Sequence, residues 1–138
     1  MKREQHGAAL MEFALAWPIL LALVLGAVQL TVWASETMTA RAAALAGARV
    51  GTVAGGTAAQ AGEVAQRILA AGVVGVRATR WCPGLPPPAP LVWVCAQESN
   101  VDVTVEVGGV VPALVPVGFA DGLPLHAMVT LQKEVFAP

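Results

Sequence analysis

The chain of 138 residues has room for one domain of ordinary size, and 57% of its residues are hydrophobic whereas only 12% are charged. Eight Lys and Arg residues against nine Asp and Glu residues give a formal net charge of −1. The longest basic cluster is the pair Lys2 and Arg3, so nucleic-acid binding has no electrostatic basis. This composition excludes a disordered chain and indicates a membrane segment or a tightly packed assembly.

An uncharged apolar run covers residues 13–33. As a helix it would be about 31 Å long, which matches the hydrocarbon core of a bilayer. Lys2 and Arg3 precede the run and the first charge after it is Glu36, so the positive-inside rule predicts a cytoplasmic N-terminus. A secretory signal cleaved near Ser35 is a weaker interpretation, because the apolar part of such signals spans only about 7 to 15 residues.

The start of the apolar run carries an acidic residue, Glu12. A carboxylate there either sits at the level of the lipid headgroups or has a function with a specific partner. Residues 6–13 read HGAALMEF and resemble a prepilin peptidase site, in which a short basic leader and a glycine precede a glutamate at the fifth mature position. The resemblance implies cleavage between Gly7 and Ala8, and the pair Glu12 and Phe13 resembles the pattern of Tad (Flp-type) pilins.

Two features farther along the chain extend this resemblance. Pro18 follows the glutamate by six residues, as in the same pilins, and its ring removes one helix hydrogen bond and favours a kink. Residues 46–49 contain a Gly-Ala-Arg element similar to the one that follows the membrane helix in TadE-like proteins, the minor pilins or pseudopilins of Tad pilus systems. The resemblance implies that Glu12 offers a counter-charge to the new amino group of Ala8 in a neighbouring subunit and sets the register of assembly.

The resemblance also implies partners and a location. The partners are prepilin peptidase, the Tad inner-membrane platform protein, a sister minor pilin and the major Flp pilin. The location is the inner (cytoplasmic) membrane, crossed once, with a periplasmic or extracellular head. We expect a leader at residues 1–7, a transmembrane and extended helix at residues 8–55, and a small α+β head at residues 56–138. The alternative is an uncleaved, signal-anchored periplasmic binding domain unrelated to pili.

Beyond the membrane, residues 35–53 are rich in alanine and lack proline, so the helix is expected to continue. Gly47, Gly51 and Gly55 recur at every fourth position. On a helix they form a stripe of small residues that permits close approach of another helix. The same glycines can instead mark fraying into a linker, which the pair Gly55 and Gly56 favours.

A second, short helix is predicted from its caps and its periodicity. Thr57 and Gln60 form a capping box, and Gly72 is expected to supply the C-terminal cap. Glu63 and Arg67 are spaced for an ion pair on its polar side. The apolar positions that share the opposite face are Ala61, Val64, Ala65, Ile68 and Leu69. This helix is expected to cover a sheet.

Alternating patterns predict four strands, at residues 73–81, 91–97, 101–107 and 126–136. Antiparallel pairing is expected because the connections are too short for crossover helices, except residues 108–125. That connection contains three prolines and is predicted to be a surface loop. The predicted fold class is α+β, with a long, pilin-like N-terminal transmembrane helix followed by a short helix packed on a small antiparallel sheet of about four strands.

The two cysteines, Cys82 and Cys95, flank a proline-rich turn between neighbouring strands. A disulfide is the favoured interpretation and would stabilise the head by about 3 kcal/mol, whereas two buried thiols are the alternative. The sequence argues against a metal site, because His6 is expected on the other side of the membrane and His126 alone cannot complete a coordination shell. The sequence shows no nucleophile elbow, phosphate-binding glycine loop or HExxH motif, so we expect neither an enzyme nor a cofactor.

Overall fold

The computed structural model describes residues 4–73, 75–86, 90–113 and 122–134, with residues 4–9 described by their backbone alone. Its elements in chain order are α1 (Glu4–Thr52), α2 (Ala58–Gly72), β1 (Ala78–Arg80), β2 (Val92–Glu98), β3 (Asp102–Pro112) and β4 (Gly122–Gln132). The predicted α+β class with four strands is confirmed. Lys2 and Arg3 of the predicted leader lie outside the described residues, as does the end of the fourth predicted strand at residues 135–136.

The first helix, α1, is continuous over 49 residues and is therefore about 73 Å long. It ends at Thr52, three residues before the predicted boundary at residue 55. Gly55 has a φ of 80°, a left-handed conformation that glycine adopts without steric cost. This turn ends α1 and reverses the chain into α2.

The second helix, α2, begins with the predicted capping box. The Thr57 hydroxyl accepts from the Gln60 amide at 3.3 Å, and the Gln60 side chain accepts from the Thr57 amide at 3.2 Å. The Glu98 carboxylate accepts from the Ala58 amide at 3.0 Å, so a negative charge also faces the positive end of the helix dipole. Glu63 and Arg67 form the predicted ion pair at 2.9 Å. The capping box and the Glu98 carboxylate satisfy backbone amides that the first turn of a helix leaves unpaired.

The prediction that Gly72 caps α2 is wrong. The C-cap residue is Val73, which has an extended backbone with a φ of −106° and donates its amide to the Leu69 carbonyl at 2.9 Å. Gly72 lies where α2 crosses α1, and a Cβ atom there would collide with the Thr39 side chain. Close packing of the two helices requires a glycine at this position. In the sequence, a glycine at the end of a helix looks the same whether it caps the helix or admits a neighbouring helix.

The sheet has the order β1-β2-β3-β4 and is mixed. β2 pairs with β3, and β3 with β4, in the predicted antiparallel manner. β1 pairs with β2 in parallel, from Ala78 opposite Val92 to Arg80 opposite Val94, so the antiparallel prediction is wrong for the first strand. Parallel neighbours start at the same end of a sheet, so the chain has to return along the sheet between Arg80 and Val92. The described residues of that connection, 81–86 and 90–91, contain no helix.

The predicted surface loop at residues 108–125 is largely part of a hairpin. β3 continues to Pro112 and β4 begins at Gly122, with Val110 opposite Pro124. The Pro124 carbonyl accepts a hydrogen bond from the Trp33 side chain. At Pro124, the backbone hydrogen-bonding groups of β4 therefore point away from β3. A proline there costs no hydrogen bond of the ladder. The third proline of the connection, Pro116, lies outside the described residues.

Both helices pack against the sheet. The fully buried side chains between them are mainly Ala and Val: Ala40, Ala43, Ala44, Ala48, Ala61, Ala65, Leu69, Val92, Val103, Val105 and Val107. The β3 and β4 residues that alternate with the buried ones hold polar pairs, with Thr104 bound to Thr130 at 2.9 Å and Glu106 to His126 at 3.1 Å. The second part of α1 is therefore an integral element of the head.

Candidate functional site

The predicted processing segment lies within α1. The backbone at Gly7 and Ala8 is helical, since α1 begins at Glu4. Glu12 and Phe13 are exposed, and the Phe13 ring stacks on the Trp17 ring with 5.8 Å between centroids. A spacing of four residues is close to one helical turn, so Glu12 lies on the same face of the helix as Ala8. The geometry places a carboxylate one turn after the predicted new N-terminus.

Residues 10–28, called here the bare half of α1, make almost no contact with the head. Their large apolar side chains are exposed: Leu10, Met11, Phe13, Leu15, Trp17, Ile19, Leu20, Leu21, Leu23, Val24, Leu25 and Val28. Within the described part of the chain, α1 is the one helix long and apolar enough to cross a membrane. A continuous apolar surface of this kind requires lipid or other apolar helices around it. The bare half is therefore consistent with a membrane anchor.

Pro18 lies inside the bare half. Proline has no amide hydrogen, so the Ala14 carbonyl lacks its usual helical donor at this position. The helix continues on both sides of the proline. Pro18 thus marks a local weakness in an otherwise continuous helix.

Residues 29–52, called here the packed half of α1, contact both α2 and the sheet. A Cβ atom at Gly47 would lie 2.6 Å from the Ala61 carbonyl oxygen, so α2 approaches the α1 backbone closely there. At Gly51 it would lie 2.7 Å from a methyl group of Val103 in β3. The glycine stripe faces the interior of the same chain, where it admits one helix and one strand.

The junction between the two halves is formed by residues that sequence reasoning did not single out. Gln29 and Glu36 are 7% and 6% exposed, and the Trp33 indole donates to the Pro124 carbonyl at 3.0 Å. The head therefore begins to cover α1 inside the run predicted to cross the membrane. Gln29, Trp33 and Glu36 are spaced as i, i+4 and i+7, which places them on one helix face. That spacing was the available signal for this contact.

A disulfide joins Cys82 and Cys95, with 4.7 Å between their Cα atoms. Next to it, the Trp81 amide donates to the Val94 carbonyl at 3.1 Å, which continues the parallel pairing beyond β1. The Trp81 and Trp93 rings meet edge to face at 5.5 Å. The disulfide and this aromatic pair fix the shortest strand of the sheet to its neighbour.

The polar groups of the head form surface pairs. Lys133 lies 3.7 Å from Glu98, and the His126 side chain of the pair with Glu106 is 64% exposed. Among the described residues, no three His, Cys, Asp or Glu side chains are placed to hold a metal ion.

Comparison with known proteins bears on this same helix. Residues 7–49 match the model of the TadE-like protein family. The predicted TadE-like resemblance is thereby confirmed over this segment, which runs from Gly7 through the bare half to Arg49 in the packed half. A TadE-like N-terminal segment indicates a Tad pilus-related protein. The head from α2 onward lies outside the match. No curated protein matches the chain, and no solved structure does.

Proposed function

We propose that the protein is a minor pilin or pseudopilin of a Tad-type pilus system, cleaved by prepilin peptidase between Gly7 and Ala8 and assembled through α1. One observation carries the proposal. The TadE-like segment lies within a single helix, which carries the GAALMEF motif in its first turns, exposes an apolar surface over its bare half and enters the head over its packed half. Such a helix can anchor a subunit in the membrane and later contact other subunits.

The position of Glu12 supports a role in assembly. Cleavage before Ala8 creates an α-amino cation, and Glu12 follows it by about one helical turn. A carboxylate near the N-terminus of a helix is also favoured by the helix dipole. In lipid, an unpaired carboxylate and an unpaired ammonium group are both costly, so pairing Glu12 with the amino group of a neighbouring subunit lowers that cost. The pairing sets the axial register of the two helices.

The proposed partners follow from where free helix surface remains. The bare half is exposed on all its faces apart from a half-buried Gly26, so it offers contacts to the platform protein, a sister minor pilin and the major Flp pilin within the bilayer. The packed half is partly covered by the protein's own head. The proposed topology is a cytoplasmic leader, one pass through the inner membrane and an extracytoplasmic head, where the disulfide is stable.

The decisive experiment is mass spectrometry of the N-terminal peptide of the protein purified from its native host. We expect Ala8 as the first residue. Met1 as the first residue would contradict the proposal and support an uncleaved, signal-anchored domain unrelated to pili. A first residue near Ser35 would contradict both, because signal peptidase would then have removed the bare half.

A substitution tests the cleavage site directly. Gly7→Leu is expected to block cleavage, so that the protein keeps its leader and migrates more slowly on a gel than the wild type. Gly26→Leu is the matched control, because it adds the same side chain to the same helix at a position with no atom within 4 Å of the new Cβ. Equal mobility of Gly7→Leu and wild type would contradict processing at this site.

A further inference from the structure

The contacts between α1 and the sheet define the orientation of the head. Near the end of α1, Gly51 faces Val103 at the start of β3, and the Thr52 carbonyl accepts from the Glu134 amide at 3.1 Å. Near the bare half, Trp33 binds Pro124 at the start of β4. β3 therefore runs antiparallel to α1, and the β3–β4 hairpin points toward the bare half.

The end of the sheet nearest the bare half exposes apolar side chains. Pro112 is exposed at the end of β3, and Val110, opposite Pro124, is 42% exposed. Leu91 is 66% exposed and lies beside Val110, whose amide donates to the Leu91 carbonyl at 2.7 Å. Leu91, Val110 and Pro112 are called here the hairpin end of the sheet. They form an apolar rim at the level where the bare half ends and the packed half begins.

Charge is distributed unequally along the same axis. The opposite end of the sheet carries the three carboxylates of Glu98, Asp102 and Glu134 and one cation, Lys133, which lies 3.7 Å from Glu98. Beside the hairpin end, Arg77 is exposed immediately before β1, whose first residue pairs with Val92. A basic side chain next to apolar ones is the combination that favours a surface of anionic phospholipid headgroups.

The length of the bare half places this end at a membrane surface. Nineteen residues of helix extend about 28 Å, which is close to the thickness of the hydrocarbon core. The interfacial layer then begins at the Gln29–Trp33 turn, where the Trp33 side chain occupies the depth that tryptophan prefers in membranes. Through the bond from Trp33 to Pro124, the hairpin end lies at that depth as well.

We propose that the hairpin end of the sheet is a lipid-contact surface that rests in the headgroup layer of the outer leaflet, with Arg77 facing lipid phosphates. The proposal rests on the membrane anchoring by α1 proposed above. It adds a second membrane contact, formed by the folded head. With a contact from the helix and a second one from the sheet, the head has a fixed tilt on the bilayer.

Spin labelling of the full chain in phosphatidylcholine–phosphatidylglycerol vesicles tests this surface. The described cysteines are both in the disulfide, so one added cysteine accepts one label. Leu91→Cys is the test variant, and Val101→Cys is its matched control, a 54% exposed apolar residue at the opposite end of the sheet. Leu20→Cys, 56% exposed in the bare half, reports on the anchor itself. Near-UV circular dichroism checks that each variant keeps the wild-type fold.

The measured quantity is the depth parameter, the natural logarithm of the ratio of collisions with oxygen to collisions with a water-soluble nickel complex. We expect a positive value for the label at position 20, a negative value at position 101 and a value between these two at position 91. A label at position 91 that matches position 101, with position 20 in lipid, would overturn the lipid-contact surface and leave the anchor intact. A label at position 20 in water would contradict the anchor and, with it, this inference.

Discussion

The two halves of α1 share one helix and have opposite surroundings. The bare half exposes Leu, Ile, Val, Phe and Trp side chains, whereas the packed half places Ala and Gly residues against the rest of the chain. Large side chains give a helix a wide apolar surface for lipid, and small ones let another backbone approach closely. Side-chain size therefore distinguishes the exposed surface of the bare half from the buried face of the packed half.

The largest expected effect comes from removing a bulky side chain from the protein-facing side. Leu69 is fully buried on α2, and Leu69→Ala should lower the free energy of unfolding by about 3 to 4 kcal/mol because it leaves a cavity. Leu20→Ala in the bare half should change it by less than about 0.5 kcal/mol. Urea titration in mild detergent, followed by near-UV circular dichroism, measures both. Equal effects of the two substitutions would contradict the description of the bare half as free of packing contacts with the head.

The disulfide should affect the stability of the head and leave the membrane anchoring by the bare half unchanged. Replacing Cys82 and Cys95 together by alanine removes a cross-link across a sequence separation of 13 residues, which should cost about 3 kcal/mol of head stability. Membrane retention should be unchanged, because the bare half contains no cysteine. The same urea titration, together with fractionation of cell membranes, separates the two outcomes. Loss of the protein from the membrane fraction would show that the halves depend on one another.

A single methyl group tests the glycine stripe. Gly47→Ala should destabilise the head by about 2 kcal/mol, because the new Cβ would lie 2.6 Å from the Ala61 carbonyl oxygen and force α2 to move. Gly26→Ala adds the same group to the same helix with no atom within 4 Å, and it should leave stability unchanged. Thermal unfolding in detergent compares the pair. A neutral Gly47→Ala would mean that α2 lies farther from α1 than described here.

The smallest expected effect is at the junction of the halves. Trp33→Phe keeps an aromatic ring and removes the donor to the Pro124 carbonyl, so we expect a loss of about 1 kcal/mol in head stability. Hydrogen exchange of the β4 amides should rise most near Leu123, next to the lost contact. Trp17→Phe in the bare half is the control and should leave that exchange at the wild-type rate. Unchanged exchange in Trp33→Phe would show that the head does not depend on this bond.

Local signals in the sequence were sufficient for much of the fold. The capping box of Thr57 and Gln60 fixed the start of α2, because its two hydrogen bonds involve residues only three apart. The alternation of Val103, Val105 and Val107 located β3, because one face of that strand is buried. The N-terminal motif identified the TadE-like segment now matched over residues 7–49. Each of these signals is contained within a few neighbouring positions or one short motif.

The predictions were wrong where contacts between distant parts of the chain determine the local structure. Pro112 and Pro124 indicated a loop, yet one ends a strand and the other lies on an edge strand whose carbonyl binds Trp33. Gly72 resembled a cap because the Thr39 side chain that excludes a larger residue lies on another helix. The direction of β1 depends on the path of residues 81–91, which strand periodicity does not report. For the site, the GAALMEF motif could be found in the sequence, whereas the position along α1 at which the head begins required the structure.

The continuity of α1 also determines how the protein transmits a pulling force. A pull on the head is carried through the packed half into the bare half by the hydrogen bonds of one helix, and each residue shares the load with its neighbours. Pro18 interrupts that series, because the Ala14 carbonyl has no amide donor there. Under tension, the helix should yield first at Pro18, deep in the bare half, so that stretching takes place there and leaves the fold of the head intact.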